Sequence, residues 1–208
     1  NNEWAENPAA YVLIVTGIDD ENRILGGARI HAADGIHKLP IELATGELDP
    51  RIYDIVKEKS LRGTCELCGL WNSREVAGMG VGAFFTTKAG VVVAEQLGLD
   101  SIFALCSPYT VRFAEKVGCR VMAGVGNNGT FYYPKLDLVA TAVLLEDCNT
   151  LDQADPFEKD RILELRANPN QIVVEKAPIR NIEFTIHYDL EIKNINPNEY
   201  KLINKPSL

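Results

Sequence analysis

The stretch "GTCELCGLWNSREVAGMGVGAFFTTKAGVVVAEQLGLDSIFALC", residues 63–106, holds two extended runs around a glycine-rich turn and a helix. "GTCELCGLW" is bounded by a glycine and rich in residues that suit a pleated, half-buried surface, so it predicts a strand. Strand side chains alternate, which places Glu66, Cys68 and Leu70 on one face. From Gly78 to Gly98 the apolar residues Phe84, Val91, Val92 and Leu97, with small residues between them, predict a buried helix that stops at Gly98. "SIFALCSP" is a short continuous apolar run and predicts a buried strand. Strand, helix and strand in that order make a parallel pair, the one such unit in the chain.

Everything on either side is antiparallel in character. "AAYVLIVTG" and "ILGGARIHA" are separated by the polar "IDDENR" and predict a hairpin in which Arg29 and His31 share a face. "DPRIYDIVKEKS" predicts a helix started by Asp49 and Pro50. Beyond residue 106, "YTVRFAEKVGC" predicts a short amphipathic helix closed by Gly118. "CRVMAGVG", "GTFYYP" and "LVATAVLLED" predict strands, with "NNG" as the turn between the first two. From residue 151 a charged helix, "DPFEKDRILELRA", precedes two strand-like runs, "QIVVEK" and "NIEFTIHYDLEI". The class is therefore α/β (α+β), with a mixed, mostly antiparallel sheet. A core over residues 1–150 and a packed extension over 151–208 are expected.

The chain has 208 residues and a formal net charge of −8, so no basic field exists to neutralise nucleic-acid phosphates. Its longest apolar runs fall well short of the roughly 20 residues a membrane helix needs. Five cysteines, an odd number at irregular spacing, suit reduced thiols in the cytoplasm better than a disulfide framework. The start, "NNEWAENP", carries neither an initiator methionine nor a leader, and an N-terminal piece is expected to be missing. Cys65 and Cys68 form a CxxC, but zinc needs a second pair and a redox pair belongs at a helix N-terminus, so buried inert thiols and no metal are expected.

The glycine turn admits three readings. Gly78, Gly80 and Ala83 formally match a dinucleotide fingerprint, but the acidic residue at the right distance, Asp100, precedes the next strand, whereas the ribose site lies after it. The turn also suits the phosphate of a pantetheine carrier, held by unpaired amides at a helix N-terminus. The third reading is packing alone, small residues letting the helix press against the sheet.

Residues 66–121, "ELCGLWNSREVAGMGVGAFFTTKAGVVVAEQLGLDSIFALCSPYTVRFAEKVGCRV", resemble the strand, carrier-loop, helix, strand, helix core of the GNAT-type acyl-CoA N-acyltransferases. "GGARIHAADGIHKLP" and "CELCGLW" are similar to the arginine- and glutamate-bearing segments of the autoinducer synthase and N-acyl amino acid synthase branch. The resemblance covers roughly residues 10–145. It implies an acyl-CoA N-acyltransferase-like sheet with helices on both faces, and N-acyl transfer from an acyl-CoA or acyl carrier protein (ACP) thioester to a small amine such as an amino acid, with no tightly bound cofactor. Glu66 is then the base, with Arg29 and Ser107 as further catalytic residues. Cys68, Gly69 and Leu70, together with Arg74, Gly78, Gly80, Gly82 and Tyr109, would hold the donor, and His31, Trp71, Phe84 and Phe103 would line the substrate pocket.

The chain also departs from the pattern. Glu75 stands where a basic or amide residue usually opens the turn, with Arg74 one place off. Ala114 replaces the tyrosine that protonates the leaving thiolate, Ser107 an asparagine, and Gly69 the arginine of the autoinducer synthases. A carrier protein would need a basic patch, for which Arg74, Lys88, Arg112 and Lys116 are the candidates. The alternative class is a non-catalytic module binding an acyl group, a small ligand or a partner.

Overall fold

The computed structural model describes residues 3–178 and 182–204. Strand β1 (Ala10–Thr16) and strand β2 (Ile24–Ala32) form the expected antiparallel hairpin. Helices α1 (Pro40–Thr45) and α2 (Arg51–Ser60) lead to β3 (Thr64–Asn72), antiparallel to β2. A single 3-10 turn (Arg74–Val76) and a π-helical turn (Val81–Phe85) run straight into α3 (Thr86–Gln96), and α3 returns the chain to β4 (Ser101–Cys106), parallel to β3. Then come α4 (Val111–Lys116), β5 (Arg120–Val121), β6 (Thr130–Tyr132) and β7 (Val139–Leu145). The sheet order is β1-β2-β3-β4-β7-β5, with β6 also on β7.

One helix is added here and one sequence expectation changes. Helix α1 lies in the glycine- and proline-punctuated stretch 34–63, ahead of the helix predicted from Asp49 and Pro50. It forms because Pro40 sits in the first turn and the Glu42 carboxylate reaches back to accept from the Leu39 amide at 2.7 Å. The "NNG" turn does not join β5 to β6 as a hairpin. Each pairs with β7, β5 at Val143–Leu144 and β6 at Val139–Thr141, because the intervening segment curls on itself through Gly129 N–H to the Val125 carbonyl.

Alternation sorts the side chains into two layers. Ile30, Cys65, Leu67, Ile102, Ala104, Val143 and Leu145 pack with Val91–Ala94 of α3 on one face. Phe103, Ala142 and Leu144 pack with Leu39 and Ile41 of α1 and with Ile52 and Val56 of α2 on the other. The residues between them in sequence, Arg29, His31 and Glu66, belong to the α1/α2 side.

In the extension, α5 (Pro156–Ala167) is started by the Asp155 carboxylate, which accepts from the Phe157 and Glu158 amides. β8 (Asn170–Lys176) and β9 (Glu183–Asp189) form a separate antiparallel pair. These elements pack against α3. No helix among the described residues is long and apolar enough to cross a membrane.

Candidate functional site

β3 and β4 are paired only at Thr64 with Ser101, Cys65 with Ile102, and Glu66 with Phe103. Beyond that last rung β3 runs on to Asn72 and β4 to Cys106 without pairing. The strands part beside Glu66. A β-bulge accompanies the parting. Gly27 opposes Trp71 whereas Arg29 opposes Cys68, so β3 carries one extra residue, and Gly69 sits in the left-handed region at φ +60°. A Cβ on Gly69 would lie 2.6 Å from Nε of Arg29, so glycine meets both the backbone and the spatial requirement. The bulge also shifts the alternation: Leu70 packs with the Cys65 and Leu67 layer instead of sharing the face of Glu66 and Cys68.

The gap opens into a cleft of about 390 Å³. On the α1/α2 side its walls are Arg29, Glu66, Pro40, Ala44 and Tyr133. On the α3/α4 side they are Leu67, Leu70, Ala83, Thr87, Val91, Phe113, Ala114, Val117 and Leu145, a mostly apolar lining. Cys68 and Gly69 line the parting, and Cys106, Ser107 and Thr110 line the end of β4.

Glu66 is 2% exposed and its Oε2 accepts a hydrogen bond from the Ile41 amide at 2.5 Å. Burial pushes its carboxyl up to about 8, against smaller lowering contributions from that amide and from Arg29. Arg29 forms no ion pair with it. Across the ladder His31 faces Glu66. It is 4% exposed, and burial, helped by the Arg29 charge, pushes its pKa down to about 4, so the imidazole is neutral. Its Nε2 is buried with no hydrogen-bond partner among the described residues. Cys68 carries a thiol pushed up to about 12 by burial, which leaves it unreactive. All five cysteines are free, and Cys65 and Cys68 point to opposite faces of β3.

At the start of α3 the three glycines have different duties. Gly78 and Gly80 take positive φ, +77° and +82°. Gly82 does not, but a Cβ there would lie 1.8 Å from the Trp71 carbonyl oxygen, so the helix enters in backbone contact with β3. The Gly82 amide is held by the Asn72 side chain at 2.5 Å, while the amides of Gly78, Gly80 and Val81 have no acceptor among the described residues. Arg74 stands exposed on the turn just after β3.

The structure thus gathers Arg29, Glu66, Cys68, Gly69, Leu70 and Ser107 at one cleft, with Gly78, Gly80 and Gly82 at the helix start. It places other expected residues elsewhere. Trp71 is half-exposed over Gly27, and Phe103 is fully buried in the α1/α2 layer. Phe84 stacks with Phe85 and Phe113 outside the cleft. Tyr109 is 81% exposed. His31 lies behind Glu66, not in the lining. Lys88 cannot belong to a surface patch: it is fully buried and paired with Glu175 at 2.9 Å and Glu158 at 3.3 Å. Asp100 is taken by Arg62 at 2.5 Å at the start of β4, far from where a ribose would sit. Pro40, Ala44, Thr87, Phe113 and Tyr133 were not singled out from the sequence, because apolar and hydroxyl side chains give no local sign of lining a cleft.

No family model matches the sequence, and no curated protein does either. Solved structures do match. FeeM, an N-acyl amino acid synthase from uncultured soil microbes, is 16% identical with a TM-score of 0.55, covering 74% of this chain and 83% of its own. BjaI, a CoA-dependent acyl-homoserine lactone synthase solved with SAM and isopentyl-CoA, is 14% identical with a TM-score of 0.48, covering 76% of this chain and 66% of its own. With its strands parted beside Glu66 and its glycine turn opening α3, the chain has the GNAT-type acyl-CoA N-acyltransferase fold.

Proposed function

We propose that this protein transfers an acyl group from a carrier-bound thioester, acyl-CoA or acyl-ACP, to a small amine. The observation that carries the proposal is the parting of β3 and β4 at Glu66, which leaves a buried carboxyl at the edge of a cleft joining a polar side to an apolar one. A pantetheine arm lies in the gap, where β3 beyond Glu66 offers backbone groups that no strand occupies. Its phosphate end meets the free amides of Gly78, Gly80 and Val81. The acyl chain enters the apolar lining of Leu67, Val91, Phe113 and Ala114. The amine approaches from the α1/α2 side.

In the reaction the amine nitrogen bonds to the thioester carbon, the C–S bond breaks, and the amine proton passes to ionised Glu66. The leaving thiolate takes a proton from solvent, relayed at the exposed end of the cleft by the Ser107 and Thr110 hydroxyls, which lie 3.2 Å apart and regain from water the proton they pass on. Those hydroxyls take over from the absent tyrosine at Ala114. Five unpaired thiols suit a reducing compartment, and we place the protein in the cytoplasm. Carrier protein docking would fall to Arg74, Arg112 and Lys116, exposed near the cleft end of α3 and α4.

The test is mass spectrometry of products from acyl-CoA or acyl-ACP with pooled amines. Glu66→Gln should cut turnover at least about tenfold. Unchanged turnover would remove Glu66 as the base, and a bound thioester without product would favour a binding module, a reading that Ala114 at the tyrosine position supports.

A further inference from the structure

His31 and Glu66 oppose each other across the β2–β3 ladder, with their side chains on the same face. Such pairs have Cβ atoms roughly 4.5–5.5 Å apart, within reach of each other. Both residues are buried, and Trp4 lies beside the imidazole with ring centroids 6.4 Å apart. His31 Nε2 has no hydrogen-bond partner among the described residues. A buried, unpaired nitrogen destabilises a fold, and a phenylalanine or leucine would fill this space without that loss. The imidazole therefore calls for an explanation other than packing.

The groups around the pair limit what Nε2 can bond to. Arg29, also on β2, and the Trp4 indole carry donors only. Cys68 on β3 and Cys106 on β4 are thiols that burial keeps protonated, pushed up to about 12 and about 11. Glu42 on α1 accepts from the Leu39 amide. Glu66 offers the acceptor: its Oε2 is held by the Ile41 amide, and its Oε1 has no partner among the described residues. While Glu66 is protonated it needs no second donor. To act as a base it must ionise, and a buried carboxylate with one amide on it is then stabilised by any further donor. His31 does not compete for the proton, since burial and Arg29 hold its own pKa near 4, so the neutral ring can serve as that donor. We propose that His31 is a positioning residue for Glu66: after a side-chain rotation its Nε2–H donates to the ionised carboxylate and holds it as the base at the edge of the cleft. The proposal rests on the acyl-transfer function and adds the residue that readies its base.

Two measurements test it. In substrate-free wild type with isotope-labelled histidine and glutamate, NMR across a pH series follows the His31 ring and the Glu66 carboxyl. The expected result is a downfield, slowly exchanging Nε2–H proton that appears with the midpoint of Glu66, near pH 8, on a ring that stays neutral. Absence of that proton after Glu66 has ionised would overturn the proposal. The second measurement is kcat/KM against pH with one acyl-CoA and one amine. His31→Phe should move the midpoint of the rise up by about one pH unit and lower kcat/KM about tenfold at neutral pH, a loss that shrinks above the new midpoint. His31→Gln, which keeps an N–H at the reach of Nε2, should restore most of both. A His31→Phe protein that melts earlier but keeps the wild-type midpoint has lost packing only, and that also overturns the proposal. The NMR arm needs no substitution and stands even if a variant folds poorly. The Nε2–H proton without acyl product from any amine keeps the pair and removes acyl transfer. Product without that proton and with an unmoved midpoint removes His31's role and leaves acyl transfer standing. Neither proton nor product removes both.

Discussion

Glu66 shows how one residue's surroundings set its chemistry. A carboxyl with an ordinary value of 4.5 is held near 8 because the sheet, α1 and a neutral His31 surround it, and the Ile41 amide is its one hydrogen-bond donor among the described residues. The unfolded chain releases that proton near its ordinary value, while the folded protein keeps it to about 8. The stability this group contributes is therefore fully present below about 4.5, falls as pH rises, and is lost above about 8. Glu66→Gln, neutral throughout and still able to accept from Ile41, should gain on the wild type by a few kcal/mol between pH 5 and pH 9 in urea denaturation. Activity runs the other way. If ionised Glu66 takes the amine proton, kcat/KM rises with pH through about 8 in the wild type, and the rise is absent in Glu66→Gln.

At the scale of an element, the entry of α3 depends on one missing side chain. Three alternating glycines in "VAGMGVG" announce a turn, but their spacing does not say which is needed for backbone conformation and which for space. Gly78 and Gly80 serve the first, and Gly82 the second, against the Trp71 carbonyl. Gly82→Ala forces the helix away from β3 and breaks the Asn72 contact to the Gly82 amide. A loss of more than about 1 kcal/mol is expected. Donor affinity should fall with it, since the same turn would receive the phosphate. Thermal melting and acyl-CoA calorimetry on one sample read both, and unchanged donor affinity would detach the turn from donor binding.

For the whole molecule, the C-terminal stretch from α5 to β9 is joined to α3 by charge as well as by apolar contact. Lys88 of α3 is fully buried between Glu175 of β8 and Glu158 of α5, with Arg161 3.8 Å from the same Glu175 and the Lys88 ammonium over Phe84 and Phe85. The Tyr188 hydroxyl joins the cluster at Glu175, and burial pushes its pKa well above its usual range. Pro178 of the same extension packs on Gly80 at the head of α3, so the tail braces the helix that would carry the donor phosphate. Lys88→Met leaves two buried carboxylates facing each other and should cost about 3–5 kcal/mol. Urea denaturation measures the loss, and hydrogen exchange should show it first in α5, β8 and β9.

The parallel unit at the centre, the antiparallel hairpin before it and the placing of Glu66 on a strand are legible in the sequence alone, whereas α1 and the pairing of β5 and β6 are not. The legible features follow from alternation, helical spacing and turn residues, which act over a few neighbours in the chain. Long-range packing set that Leu70 turns away from Glu66 at the bulge, that Lys88 is a core residue, and that Arg29 has no carboxylate partner among the described residues. Each of these depends on desolvation and charge supplied by segments far away in sequence, such as Ile41 against Glu66 or Glu175 against Lys88, and local spacing carries no record of them.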